Sequence, residues 1–151
     1  MMGFPRAAAY TAGVSDVDRS RGALSDAQRS ALAAVGARHG LEVLALHGSR
    51  ALGTARVDSD WDFAYAATGN AAVDKLALVA DLGAAVGSDD VDVADLERAG
   101  GLLRFRAARD GVLLHEGSPG AWRAFRLAAI SFWCDAEPVL RRAYAARLAR
   151  F

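Results

Sequence analysis

The residues with the clearest chemical potential are Gly48-Ser49 and, ten residues further on, Asp60-x-Asp62. Two carboxylates at i and i+2 of a strand share a face, with their stems roughly 6–7 Å apart. Their oxygens can converge on one or two magnesium ions, the octahedra being completed by oxygens of a bound triphosphate. Such a pair repels itself wherever water is excluded, so the arrangement is unfavourable without a cation. A Gly-Ser turn at the end of a buried strand supplies the complementary function: the glycine admits a ligand to the backbone, and the N–H groups and hydroxyl that follow can hold phosphate oxygens. Either half alone is commonplace. The joint pattern, GS-RALGTARVDS-DWD, arises by chance in a chain of this composition with a probability on the order of one in a hundred.

These residues require a strand, a tight turn, a short helix and a second strand. Leu41–His47 (LEVLALH) is a short β-rich run ending at Gly48, and residues 60–66 alternate cleanly. Trp61, Phe63 and Tyr65 are therefore expected on the core face, with Asp60 and Asp62 on the other. Ser25 or Asp26 can cap a helix running to Gly40, a residue suited to a left-handed terminus. A second helix is expected over 70–86, with Val73, Leu76, Val79, Leu82 and Val86 as its apolar stripe. Further expectations are a strand over 91–94, a helix over 96–110 and a strand over 112–115. A final helix carries Trp122, Phe125, Ala129, Phe132 and Ala136 on one stripe, and Pro138 either kinks it or begins a new one. The fold class is α/β (α+β): a small mixed sheet of about four strands flanked by helices, with a long C-terminal helical arm. The expected organisation is a flexible leader over 1–24, a core over 25–118, and an arm over 119–151 that packs on the core and is open to a partner.

Length and composition restrict the alternatives. The chain has 151 residues, 53% hydrophobic and 24% charged, with zero formal net charge, so no global field draws in nucleic acid or an anionic membrane. Lys75 is the only lysine among 18 basic residues, which suggests codon bias as much as function. The charge is uneven: Asp89–Glu97 holds five acids, and Pro119–Phe151 holds six arginines against Asp135 and Glu137. Each is read as a solvated face, with a basic tail meeting an acidic or nucleotide-bearing partner as the sharper alternative. The single cysteine, Cys134, excludes an internal disulfide and a cysteine zinc site, and is expected to pack as a small hydrophobe. No signal peptide or membrane-length apolar run is expected, which leaves the cytoplasm as the default compartment.

On the Gly48-Ser49/Asp60-x-Asp62 signature and the run HGSRALGTARVDSDWDFAYAA, the chain resembles the polymerase-β-like nucleotidyltransferase superfamily, and within it the minimal nucleotidyltransferase (MNT) branch. VDVADL near 91–96 resembles the third-carboxylate strand of that family, and DGVLLHEG (110–117) its following strand, so the likeness spans about residues 25–150. The resemblance implies that Gly48 and Ser49 contact the β- and γ-phosphates and that Asp60 and Asp62 ligate both of two Mg2+ ions. Asp92 would hold the ion that activates the acceptor oxygen; Asp90, two residues earlier on the same face, is the alternative. Arg50 is a candidate nucleotide-binding residue, as is Arg56, either one steadying triphosphate charge. It further implies ATP as substrate, a HEPN-type helical toxin as partner, and antitoxin action by attaching AMP to a tyrosine of that toxin. Neutralisation by binding alone, and transfer to a small molecule such as an aminoglycoside, are the competing functions; direct nucleic-acid binding is not expected. His47 and His115 are read as structural strand-end residues. A Ser49–histidine hydrolase is excluded because the turn is not G-x-S-x-G and the aspartate pair would be unexplained.

Overall fold

In a computed structural model, residues 23–149 are described, and five helices surround a four-stranded sheet. The elements are α1 (Asp26–Arg38), β1 (Leu41–His47), α2 (Gly48–Leu52), β2 (Trp61–Ala67), α3 (Lys75–Val86), β3 (Val91–Asp95), α4 (Gly101–Asp110), β4 (Val112–Glu116) and α5 (Ala121–Leu148). The sheet order is β3-β2-β1-β4, with β1 antiparallel to both β2 and β4 and β2 parallel to β3. The expected mixed α+β sheet is therefore present. Most of the leader expected over 1–24 lies outside the described residues, but Leu24 does not belong to a leader: it is buried in the core.

Local chemistry sets the element boundaries. Ser25 caps α1 through a reciprocal pair: its hydroxyl accepts the Gln28 N–H at 3.1 Å, while Gln28 Oε1 accepts the Ser25 N–H at 2.9 Å. Gly40 follows with φ +62°, the left-handed conformation expected of it. The helix expected from residue 70 begins only at Lys75, because the Asp74 carboxylate accepts the Ala77 N–H and fixes the cap there. Its buried stripe is Leu78, Leu82 and Val86, whereas Leu76 is 84% exposed. Likewise α4 starts at Gly101 and not at residue 96. Asp95 holds the intervening turn by accepting the Glu97 N–H on its side chain and the Ala99 N–H on its carbonyl.

The sheet buries both faces. On one, Leu44, Leu46, Trp61, Phe63, Tyr65 and Val93 pack against α1 and α3. On the other, Val43 and Ala64 pack with Ala107 of α4 and with Trp122 and Phe125 of α5. The alternation of β2 thus sends its three aromatics to the first core as expected, and places Asp62 at the rim of the second. Helix α5 is continuous through Pro138. Trp133, rather than Phe132, turns inward to stack on Phe105 with centroids 5.6 Å apart; one position further round the helix, Cys134 is exposed and not packed. Among the described residues no helix is long and apolar enough to cross a membrane.

Gly36 shows how closely α1 meets the sheet. A Cβ there would lie 2.6–2.8 Å from the ring and Cβ of His115, whose Nε2 is held 3.1 Å from the Leu41 carbonyl oxygen. Helix propensity alone gives Gly→Ala a gain of about 1 kcal/mol. The packing reverses the sign: Gly36→Ala is expected to destabilise by about 1–3 kcal/mol, read as a lower urea midpoint at unchanged m-value.

Candidate active site

The site forms where β1 ends. His47 is extended, Gly48 turns the chain with φ +70°, and the five-residue helix α2 leads to Gly53, again left-handed at φ +72°. A Cβ at position 48 would lie 2.3 Å from Asp62 Oδ2 and 3.1 Å from its carboxyl carbon. Glycine is therefore required here twice over, for its backbone angle and for the carboxylate pressed against it. The ligand expected to approach this backbone shares it with Asp62.

The register explains the approach. His47 stands opposite Asp62 across the antiparallel β1–β2 pair, and Asp62 stands opposite Asp92 across the parallel β2–β3 pair. One row across three strands thus reads His47, Asp62, Asp92; Asp60, expected on the same strand as Asp62, lies in the loop just before β2 begins at Trp61. Asp90 lies before β3; its carbonyl accepts the Trp61 N–H at 2.8 Å and its own N–H is taken by the Ser88 hydroxyl. Of the two acids considered for the third position, Asp92 is the one aligned with Asp62. Among the described residues no three acid, histidine or cysteine side chains converge on a single point as they stand. One reason is visible at Asp92, whose Oδ1 accepts its neighbour Val93 N–H at 2.9 Å.

The electrostatics are those of an anionic cluster that His47 only partly offsets. Burial, then the charge of Asp60, push the Asp62 carboxyl above its ordinary 3.8; His47 opposes them and Asp92 adds to them. As oxygen donors, three aspartates suit a hard divalent cation. Arg50 does not neutralise them. Its Nε donates to the Asp60 carbonyl at 3.1 Å and its Nη2 to the Ser59 carbonyl at 2.5 Å, while its guanidinium lies 4.0 Å from the Trp61 ring centroid. Arg50, expected at the triphosphate, ties α2 to the entry of β2 through these contacts. Arg56 is exposed in the same loop, its N–H donating to the Ser59 hydroxyl. Ser49 faces the cleft, and its carbonyl accepts the Thr54 N–H that closes α2.

A cleft of about 810 Å³ opens beside Asp62, with His47, Gly48, Ser49 and Asp62 on one wall and Arg106 and Arg109 of α4 on the other. Arg109 is engaged by Asp110, to which it donates from Nε at 2.8 Å and Nη2 at 2.6 Å. That contact lowers the Asp110 pKa and raises the Arg109 pKa. Arg106 is exposed and has no salt bridge among the described residues. Sequence reasoning placed His47 at the end of β1, where it stands, and missed that it borders the cleft, as it missed both arginines. The histidine could have been found from the signature, since a residue immediately before Gly48 must border the turn; the α4 arginines carry no motif.

Removing the Asp62 charge has a signed consequence. A carboxyl with a raised pKa binds its proton more tightly when folded, so that stabilisation is complete below about pH 4 and is lost as pH rises through the folded-state value. Without divalent cations, Asp62→Asn is expected to raise the thermal midpoint at pH 7. The gain over wild type should shrink towards zero as the pH is lowered past 4, in paired calorimetric scans.

The family model described as Polymerase beta, Nucleotidyltransferase matches residues 32–119. Among curated proteins none matches. The fold is similar to that of a chain in a toxin–antitoxin structure solved with AMP-PNP, with TM-score 0.60, 23% identity, and 77% of this chain and 98% of that one covered. It is also similar to a chain of the toxin–antitoxin MntA–HepT, with TM-score 0.57, 21% identity, and 80% and 99% covered. A third is a structure of tri-AMPylated Shewanella oneidensis HEPN toxin in complex with MNT antitoxin, with TM-score 0.55, 21% identity, and 78% and 96% covered.

Proposed function

The chain belongs to the polymerase beta nucleotidyltransferase family, and we propose that it transfers AMP from ATP to a hydroxyl, that of a tyrosine on a HEPN-type helical toxin, which it thereby neutralises. The observation that carries this reading is the alignment of Asp62 with Asp92 across adjacent strands, beside Asp60 and against the Gly48-Ser49 turn. An adenine nucleotide analogue in one structure of this fold, and an AMPylated toxin in another, support the choice of donor and acceptor.

In this reading Gly48 and Ser49 hold the β- and γ-phosphates through backbone N–H groups and the serine hydroxyl. Asp60, Asp62 and Asp92 would hold two magnesium ions. Bound there, such ions would lower the pKa of the attacking hydroxyl and stabilise the departing pyrophosphate. The bond formed joins the acceptor oxygen to the α-phosphorus, the bond broken joins that phosphorus to the β-phosphate oxygen, and the acceptor proton leaves towards the exposed Asp92 carboxylate. Arg106, on the facing wall, is placed to meet triphosphate charge as the chain's own cation. Arg50 acts at one remove, by holding the loop that delivers Asp60.

Neutralisation by contact alone gives no reason to retain Asp62 at an electrostatic cost beside two further acids. Asp60→Asn and Asp62→Asn are each expected to cut transfer of label from α-labelled ATP to the co-expressed partner by at least ~100-fold, with the fold unchanged by circular dichroism. Full neutralisation of the partner by the doubly substituted protein would overturn the enzymatic reading.

A further inference from the structure

Helix α5 outruns the domain it packs on. Trp122 meets Gly111 at the end of α4, and Phe132 and Trp133 meet Gly101 at its start, so α4 and α5 run antiparallel and the last turns of α5 project past the beginning of α4. Every residue from 138 to 149 is exposed. The apolar seam does not stop with the domain. Trp122, Ala129, Trp133 and Ala136 form its inner part at helical spacing, and Leu140, Tyr144 and Leu148 continue the row at i, i+4 and i+8, 50%, 73% and 70% exposed.

The charge around this overhang has one sign. Residues 138–149 carry Arg141, Arg142 and Arg147 and no acid, in a chain of zero net charge. Arg141 is paired with Glu137, and Arg142 donates to the Pro138 carbonyl. Arg147 has no salt bridge among the described residues. An apolar ridge at helical spacing, flanked by guanidinium groups, is complementary to a helix whose own apolar stripe is flanked by carboxylates.

We infer that the overhang of α5, centred on Leu140 and Tyr144, is the docking strip for an acid-flanked amphipathic helix of the partner protein. This rests on the proposed function for the partner's identity. It adds that the partner is held through contacts separate from the cleft, because none of residues 138–149 lines it while Asp62 does. Docking and transfer are then separable by substitution.

The test is a titration of the full chain against a HEPN-type helical protein, by calorimetry at low and high salt. Leu140→Asp/Tyr144→Asp is expected to raise Kd by at least ~100-fold and to reduce labelled transfer in parallel. The milder Tyr144→Ala should raise Kd by roughly 10-fold. Arg141→Glu/Arg142→Glu should weaken binding most at low salt. Asp60→Asn/Asp62→Asn should bind like wild type, so that a failure of transfer chemistry leaves the docking result intact. Two outcomes overturn the inference: wild-type affinity in Leu140→Asp/Tyr144→Asp and in Arg141→Glu/Arg142→Glu, or a wild-type dimer in light scattering that Leu140→Asp/Tyr144→Asp converts to monomer, which would assign the strip to a second copy.

Discussion

The carboxylate of Asp62 lies against the backbone of Gly48 so closely that no side chain could be placed between them, and much of the molecule can be read as support for that contact. It needs β1 to end in a left-handed turn at residue 48 and β2 to run beside β1 in a register that sets His47 against Asp62. It also needs the entry to β2 held still, which Arg50 does by binding the carbonyls of Ser59 and Asp60 while lying over Trp61. The same side chain that the sequence offers to a triphosphate thus has a place in the scaffold. That use suits a long, always-charged side chain whose planar group can bind two carbonyls and cover a ring at once.

The same contact creates the electrostatic tension of the site. Gathering Asp60, Asp62 and Asp92 at the rim of a packed core costs stability in the protein alone, as the raised proton affinity of Asp62 indicates. The rest of the fold has the means to meet that cost. Phe63 is fully buried behind the acids, and Leu32, Leu78 and Leu82 close over it from two helices. A packed hydrophobic layer beneath a polar row is a general way to hold like charges where they would not gather unaided.

Much of this was legible in the order of residues. Period-two alternation over 61–65 foretold which way Asp62 points, because a strand leaves its side chains only two directions. Ser25 and Gly40 announced the ends of α1 through cap chemistry that acts within a few residues. What was not legible depended on the third dimension. Leu76 fits an apolar stripe as well as Leu78 does until Asp74 fixes where the helix starts. Phe132 and Trp133 are neighbours of similar hydrophobicity, and only Phe105 on α4 decides which turns inward. Neither Arg106 nor the employment of Arg50 could be read from spacing, since an arginine reaches far enough to serve several partners.

The central claim is that this row of acids exists to bind a metal-bound nucleotide, and thermal unfolding of the intact chain tests it most directly. A non-hydrolysable ATP analogue should raise the midpoint only when magnesium is also present, and Asp60→Asn/Asp62→Asn should abolish that shift. An equal shift in EDTA, or one retained by the doubly substituted protein, would contradict the account.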